Sequence, residues 1–247
     1  SNVDYISDSP NHENTWLPLL RGRDISAYHG YQETFLNYKR ELLSKPGRSD
    51  LLSLPKVILQ QNASNPIAYF DEGKYLVLNS TTFLADTSNE VLKSICVFLN
   101  SKLIEWFFKT VITNNATLTV NILPNNLSLI PIPDSFDTIF FTKLCDFLQE
   151  SSFEKEQNPY LSSTFNLWYE LIAEAAICEA YLPQVFEENK IKGILQDMGF
   201  SSQNKKILSN PKRFDNLLSC AKNILDNHIL KPIWELSSHI DKDMKSP

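Results

Sequence analysis

Between residues 16 and 133, short apolar runs alternate with turn-forming residues, a pattern of strands interrupted by a single stretch of helical periodicity. "LPKVILQQN" (54–62) is an apolar run bounded by proline and amides, and it predicts a strand. "IAYFDEGKYLVLNSTTFL" (67–84) predicts two strands joined by a turn at Gly73. Thr87-Ser88-Asn89-Glu90 has capping-box form, Ser/Thr with Glu three residues later, and opens a predicted helix of roughly 20 residues. Along it Leu92, Ile95, Leu99, Leu103 and Trp106 recur at spacings of three and four, which predicts one buried stripe. A short strand, "TLTV", is expected after the Asn pair 114–115.

Beyond Pro133 the periodicity becomes helical nearly throughout. Asn158-Pro159 suits an N-cap and first helical position. Leu161, Phe165, Trp168, Ile172 and Ala175 then keep helical spacing until Pro183 ends the run. Shorter helices are expected over 184–198 and 211–241, separated by the polar "GFSSQNKK". The change of pattern falls at "LIPIPDS", where two prolines close the mixed region. The expected fold class is therefore α+β: a mixed, β-rich domain with a long central helix over residues 1–134, then an all-helical domain over 135–247.

Composition narrows the class. A chain of 247 residues with 43% apolar content can bury a sizeable core. No run is long and apolar enough to span a bilayer, and "SNVDYISDSP" lacks the basic and apolar regions of a secretion signal. Cys96, Cys145, Cys178 and Cys220 are far apart in apolar contexts, without CxxC pairing or histidine at ligand spacing, and read as reduced core thiols. A cytoplasmic location is the corresponding expectation.

The net charge of −6 argues against a generic polyanion binder, because phosphate neutralisation supplies most nonspecific nucleic-acid affinity. The total hides an asymmetry. Residues 21–56 hold seven basic side chains (Arg21, Arg23, Lys39, Arg40, Lys45, Arg48, Lys56) against four acidic ones, whereas the C-terminal half is acidic.

Catalytic chemistry finds little purchase. Six glycines, none in GxGxxG or GxxxxGK order, provide no phosphate-cradling loop for a nucleotide or S-adenosylmethionine. "NPY" at 158–160 lacks the second proline of the adenine-methyltransferase tetrapeptide NPPY. Asp50 with Glu72-Gly73-Lys74 supplies the letters of a metal nuclease, but Gly73 stands where a turn is wanted, and charged turn residues account for the same letters. His12, His29, His228 and His239 are scattered, with no nucleophile motif beside them.

Recognition chemistry is better represented. Arg21 and Arg23 flank Gly22, an arrangement suited to phosphate or guanine contacts, with pairing to Asp24 as the alternative. "QQNASN" (60–65) and "NNATLT" (114–119) cluster amides and hydroxyls at strand ends; such groups read base edges, although they also build turns. The stretch "NNATLTVNILPNNLSLIPIP" (114–133) contains no charged residue at all.

The order of these pieces carries a resemblance. "WLPLLRGRDI", a strand such as "PKVILQQ", a hairpin, "FLNSKLIEWFF", a polar loop and "LSLIPIP" together resemble the TaqI-like C-terminal specificity domain over about residues 16–134. That family provides target recognition in type IIG restriction-modification enzymes and related adenine methyltransferases. "FNLWYELIAEAAICEAYLP" looks like the helical tail that follows it. The resemblance implies that this chain is not itself an enzyme, and that its partners are double-stranded DNA and upstream methyltransferase or nuclease domains of the same polypeptide. No cofactor is expected in the chain; S-adenosylmethionine, and Mg where the parent enzyme cuts, would belong to the upstream part. Under this reading Arg21, Arg23, Lys39, Arg40, Lys45 and Arg48 position the DNA backbone, and Gln60, Gln61, Asn62, Asn114, Asn115, Thr117 and Thr119 read bases. The helical region would brace the specificity domain or dock the catalytic part. A protein-interaction module using "WFF" or the acidic helices is the competing reading, and a cryptic nuclease the other.

Overall fold

The computed structural model describes residues 5–9, 16–38, 53–85, 88–113, 120–134, 136–157 and 171–193, with a few isolated positions between 219 and 227. The chain divides into two compact units, Ser1–Pro131 and Ile132–Pro247. Both strands and helices are present, so the fold is α+β.

The first unit is built on two small sheets. In one, β1 (Ile6–Ser7), β5 (Thr34–Asn37), β2 (Trp16–Leu20) and β9 (Leu76–Val77) lie in that order, with β2 antiparallel to β5 and parallel to β9. In the other, β6 (Lys56–Gln60) is flanked by β10 (Thr81–Leu84) and β8 (Ala68–Asp71), both antiparallel to it. The central strand β6 is buried from Lys56 to Leu59, which explains why it reads as a continuous apolar run rather than an alternating one. Its Ile58 packs with Leu20 and Ile25, the latter from the two-residue strand β3 (Ile25–Ser26), which pairs with β4 (His29–Gly30).

The turn at Gly73 forms, but its flanking strands do not make the expected hairpin. β8 stays with β6, and the chain crosses to the other sheet at β9 before returning as β10. Gly73 adopts φ +93° and leaves no room for a side chain: a Cβ there would meet the Ser53 carbonyl oxygen at 2.3 Å. The Asp71 carboxylate closes the turn, accepting from the backbone N–H groups of Lys74 (3.0 Å) and Tyr75 (3.2 Å). Asp71 also pairs with Lys56 at 2.6 Å, and both side chains are fully buried. Lys56 is thereby withdrawn from any surface potential that a count of basic residues would credit to it.

The long central helix is two helices. Ser88 caps α1 (Asn89–Leu99), its side chain accepting from Val91 N. α1 packs on β6 and β8. It stops at Asn100, and Ser101 caps a second helix, α2 (Lys102–Phe107), by accepting from Ile104 N at 3.0 Å. A π turn, Phe108–Ile112, continues α2. The interruption shifts the phase of the apolar stripe. Leu92 and Leu99 are buried as expected, Ile95 and Leu103 only partly, and Trp106 is 59% exposed; Ile104 and Phe108 fill the second half of the core instead. Of the expected strand "TLTV", Val120 lies in β11 (Val120–Asn121), and residues 117–119 fall outside the described residues. β11 pairs with β7 (Asn62–Ala63) and leads into a single helical turn, Pro124–Leu127, which the periodicity does not announce.

In the second unit Asp137 begins the helix Thr138–Gln157, its carboxylate accepting from Phe140 N at 2.9 Å. Phe140, Phe141, Leu144, Cys145, Phe147 and Leu148 form the buried face of that helix. Residues 171–181 are helical, with Ile172 and Ala175 fully buried. Pro183 does not simply end the run: it occupies the first turn of a new helix, Pro183–Glu188. That helix ends at Asn189 rather than continuing to 198, with Lys190 at positive φ. Asn158-Pro159, the run from Leu161 to Trp168, and most of 211–241 lie outside the described residues.

Candidate nucleic-acid interface

Ser80, in the turn before β10, joins the two stretches singled out for recognition. Its hydroxyl accepts from Gly22 N at 3.0 Å, and its carbonyl accepts from Gln61 N at 3.0 Å. The Gln61 carbonyl in turn accepts from Ile122 N at 2.6 Å, and the Ile122 carbonyl accepts from the Thr82 hydroxyl at 2.8 Å. One hydrogen-bonded chain therefore holds the "RGRD" turn, the end of β6 and the strand that leaves the 114–119 segment. Gly22 is glycine for this contact, since a Cβ there would lie 2.5 Å from the Ser80 carbonyl oxygen. The backbone that approaches Gly22 closely is thus the protein's own.

The two arginines have different surroundings. Gly22–Asp24 forms a 3₁₀ turn in which the buried Asp24 carboxylate accepts from Arg21 N (2.8 Å), Arg21 Nε (2.9 Å) and Arg21 Nη2 (3.3 Å). Pairing with Asp24 is therefore the description that fits Arg21. Arg23 approaches Asp24 only at 3.6 Å and is 73% exposed, so its guanidinium is the one that projects.

The amides also differ. Gln60 donates through Nε2 to the Ile25 carbonyl at 2.6 Å, a contact internal to the fold. Gln61 is half-buried and contributes its backbone to the Ser80 chain. Asn62 is exposed on β7 and stands opposite the exposed Asn121 on β11. The structure thus brings "QQNASN" beside the strand that directly follows "NNATLT". Asn114, Asn115, Thr117 and Thr119, and the basic residues Lys39, Arg40, Lys45 and Arg48, lie outside the described residues.

The described lysines of this unit are engaged as well. Lys74 pairs with Glu72 at 3.3 Å, and Lys102 and Lys109 both pair with Glu105, at 2.9 and 2.6 Å. Burial would raise the Glu105 carboxyl, but the hydrogen bonds from Lys109 and Lys102 outweigh it and hold it below its ordinary value. Lys93 sits over the Phe70 ring, 5.1 Å from its centroid.

The geometry of Glu72-Gly73-Lys74 is that of a charged turn, with Lys74 paired to Glu72; Asp50 lies outside the described residues. No group of three or more His, Cys, Asp or Glu among the described residues is arranged to hold a metal ion. His29 is buried and packs against Tyr31, ring centroids 4.3 Å apart. Among the described residues, no helix is long and apolar enough to cross a membrane.

Residues 17–132 match the family described as the TaqI-like C-terminal specificity domain. That segment is a TaqI-like specificity domain. Its family role is recognition of DNA sequence in restriction-modification systems, and a specificity domain of this kind is not itself catalytic. The matched segment runs from β2 through β11 to the proline-rich end of the first unit, and so contains the whole Ser80-centred arrangement. No curated protein is similar enough to the chain to count as a match.

Sequence reasoning missed Asn121 and Ser80. Asn121 is visible as another amide in the uncharged stretch, but its place opposite Asn62 depends on strand register. Ser80 is one serine of "NST", and nothing in its neighbourhood announces that it bridges two distant segments.

Proposed function

We propose that this chain recognises a specific double-stranded DNA sequence as the C-terminal specificity part of a type IIG restriction-modification enzyme or a related N6-adenine DNA methyltransferase. The observation that carries the reading is the convergence of Arg23, Asn62 and Asn121 on one hydrogen-bonded framework inside the family-matched segment. An exposed guanidinium serves phosphate, and exposed neutral amides serve base edges, so the division of labour required of a specificity domain is available there. Lys39, Arg40, Lys45 and Arg48 are assigned to further backbone contacts, and Asn114, Asn115, Thr117 and Thr119 to the reading loop.

Catalysis is assigned to upstream domains of the same polypeptide, which would bind S-adenosylmethionine, and Mg where the enzyme cuts; the target adenine would be flipped from the duplex there. The region 135–247 would brace the specificity domain or dock that catalytic part. The test is duplex binding by the chain across a salt series. Neutralising four to six phosphates gives a slope of log K against log salt of about −3.5 to −5.5. A slope near zero would replace this reading with the protein-interaction one, for which the exposed Trp106 and Val111 are the natural surface.

A further inference from the structure

We propose that Asn62 and Asn121 act together as a base-reading pair, with Asn121 a specificity-determining residue in its own right; the inference rests on the DNA-recognition reading above. In the β7–β11 ribbon, Asn62 faces Asn121 and Ala63 faces Val120. The bond from Ile122 N to the Gln61 carbonyl marks the neighbouring Gln61–Ile122 position as hydrogen-bonded. Alternation in an antiparallel ladder then makes Asn62–Asn121 a non-hydrogen-bonded pair, the position at which opposing side chains come closest, with Cα atoms about 4.5 Å apart.

The faces are also determined. Ala63 is 5% exposed and Ile122 0%, whereas Asn62 and Asn121 are exposed, so both amides stand on the solvent side of the ribbon. Neither amide side chain has a hydrogen bond to another described residue. Three other amides nearby are occupied: Gln60 by the Ile25 carbonyl, Asn65 by Ser64 and the Pro66 carbonyl, and Asn126 by the Asn121 carbonyl. The pair therefore presents two carbonyl acceptors and two NH₂ groups side by side on a ribbon backed by the buried Ala63 and Ile122. A two-stranded ribbon fits the major groove, and an asparagine amide matches the N6 donor and N7 acceptor of adenine. The chemistry points to adenine edges at one or two adjacent base pairs.

The experiment is selection of preferred duplexes from a randomised library by the full chain, comparing wild type with Asn62→Ala, Asn121→Ala, the double variant and Asn121→Asp, alongside thermal melting of each. The expected result is a loss of about 10- to 100-fold in discrimination at the same or adjacent base pairs in both single variants. The double variant should lose discrimination at the same positions as the single ones and at no others, and binding to random DNA and melting should stay at wild-type values. Asn121→Asp, which keeps the shape but has only acceptors, should lose preference for adenine at that position. A wild-type profile in both single variants would overturn the pair while leaving DNA recognition in place. So would lowered melting with an unchanged profile, since it would reduce the amides to ribbon structure. A wild-type chain that shows no sequence preference would overturn the pair and the functional reading together.

Discussion

The side-chain amide of Asn100 pairs with both backbone groups of Ala68: its Oδ1 accepts from Ala68 N at 2.9 Å and its Nδ2 donates to the Ala68 carbonyl at 2.9 Å. A helix-terminating residue thus imitates a neighbouring strand for β8, and the same Nδ2 reaches back to the Cys96 carbonyl at 3.0 Å. The Ala68 carbonyl also accepts from Tyr28 N, so helix end, sheet and the β3–β4 turn meet at one peptide unit. Replacing Asn100 with Ala should destabilise the domain by about 1–3 kcal/mol, because the N–H of the buried Ala68 loses its acceptor. Asn100→Asp should cost at least as much at neutral pH, since it sets a carboxylate against two carbonyl oxygens. Urea unfolding checks both, and a variant as stable as wild type would show that solvent replaces the lost bonds.

Lys56 and Asp71 separate buried charge from useful charge. Lys56→Met leaves a buried carboxylate without its ammonium partner and should cost about 3–5 kcal/mol. Because Lys56 is fully buried, a stabilising background that restores folding should show the wild-type salt slope in DNA binding. A slope reduced by one unit would mean that Lys56 reaches phosphate after all.

Arg21 and Arg23 should divide in the same way. Arg21→Ala removes the clamp on Asp24 and should lower stability by about 1 kcal/mol. Arg23→Ala should leave melting unchanged, weaken binding to all duplexes alike, and reduce the salt slope by about one. Arg40→Ala and Lys45→Ala should behave as Arg23→Ala does. Melting curves combined with binding at several salt concentrations distinguish the two classes.

Glu105, held by Lys102 and Lys109, supplies a pH-dependent contribution. Its carboxyl is lowered in the folded chain, so the stabilisation is present above the unfolded value near about 4.3 and is lost as pH falls through the lower folded value. Glu105→Gln should therefore be less stable than wild type at pH 7 by up to about 1 kcal/mol, with the gap closing as pH falls to about 3. Unfolding titrations at the two pH values measure this. A gap that stays constant would assign the effect to packing.

Local pattern was enough to locate β6, the Gly73 turn and the helix that begins near Ser88, because each is specified by residues within a few positions of one another. The order of such pieces also carried the family resemblance. What local pattern could not decide was pairing. Two strands beside a tight turn look like a hairpin from sequence, yet β9 goes to β2, since register and partner depend on surfaces distant in the chain. The apolar stripe through Trp106 looked continuous because periodicity does not register a cap: Ser101 re-phases the helix, and the Asn100 amide is drawn away to Ala68. At the interface, residue type alone nominated Arg21, Arg23, Gln60 and Asn62 equally. Only tertiary structure distinguished the arginine held by Asp24 from the one that projects, and the amide bound to Ile25 from the one that faces Asn121, because a polar side chain is available for recognition only when the fold has not already used its hydrogen bonds.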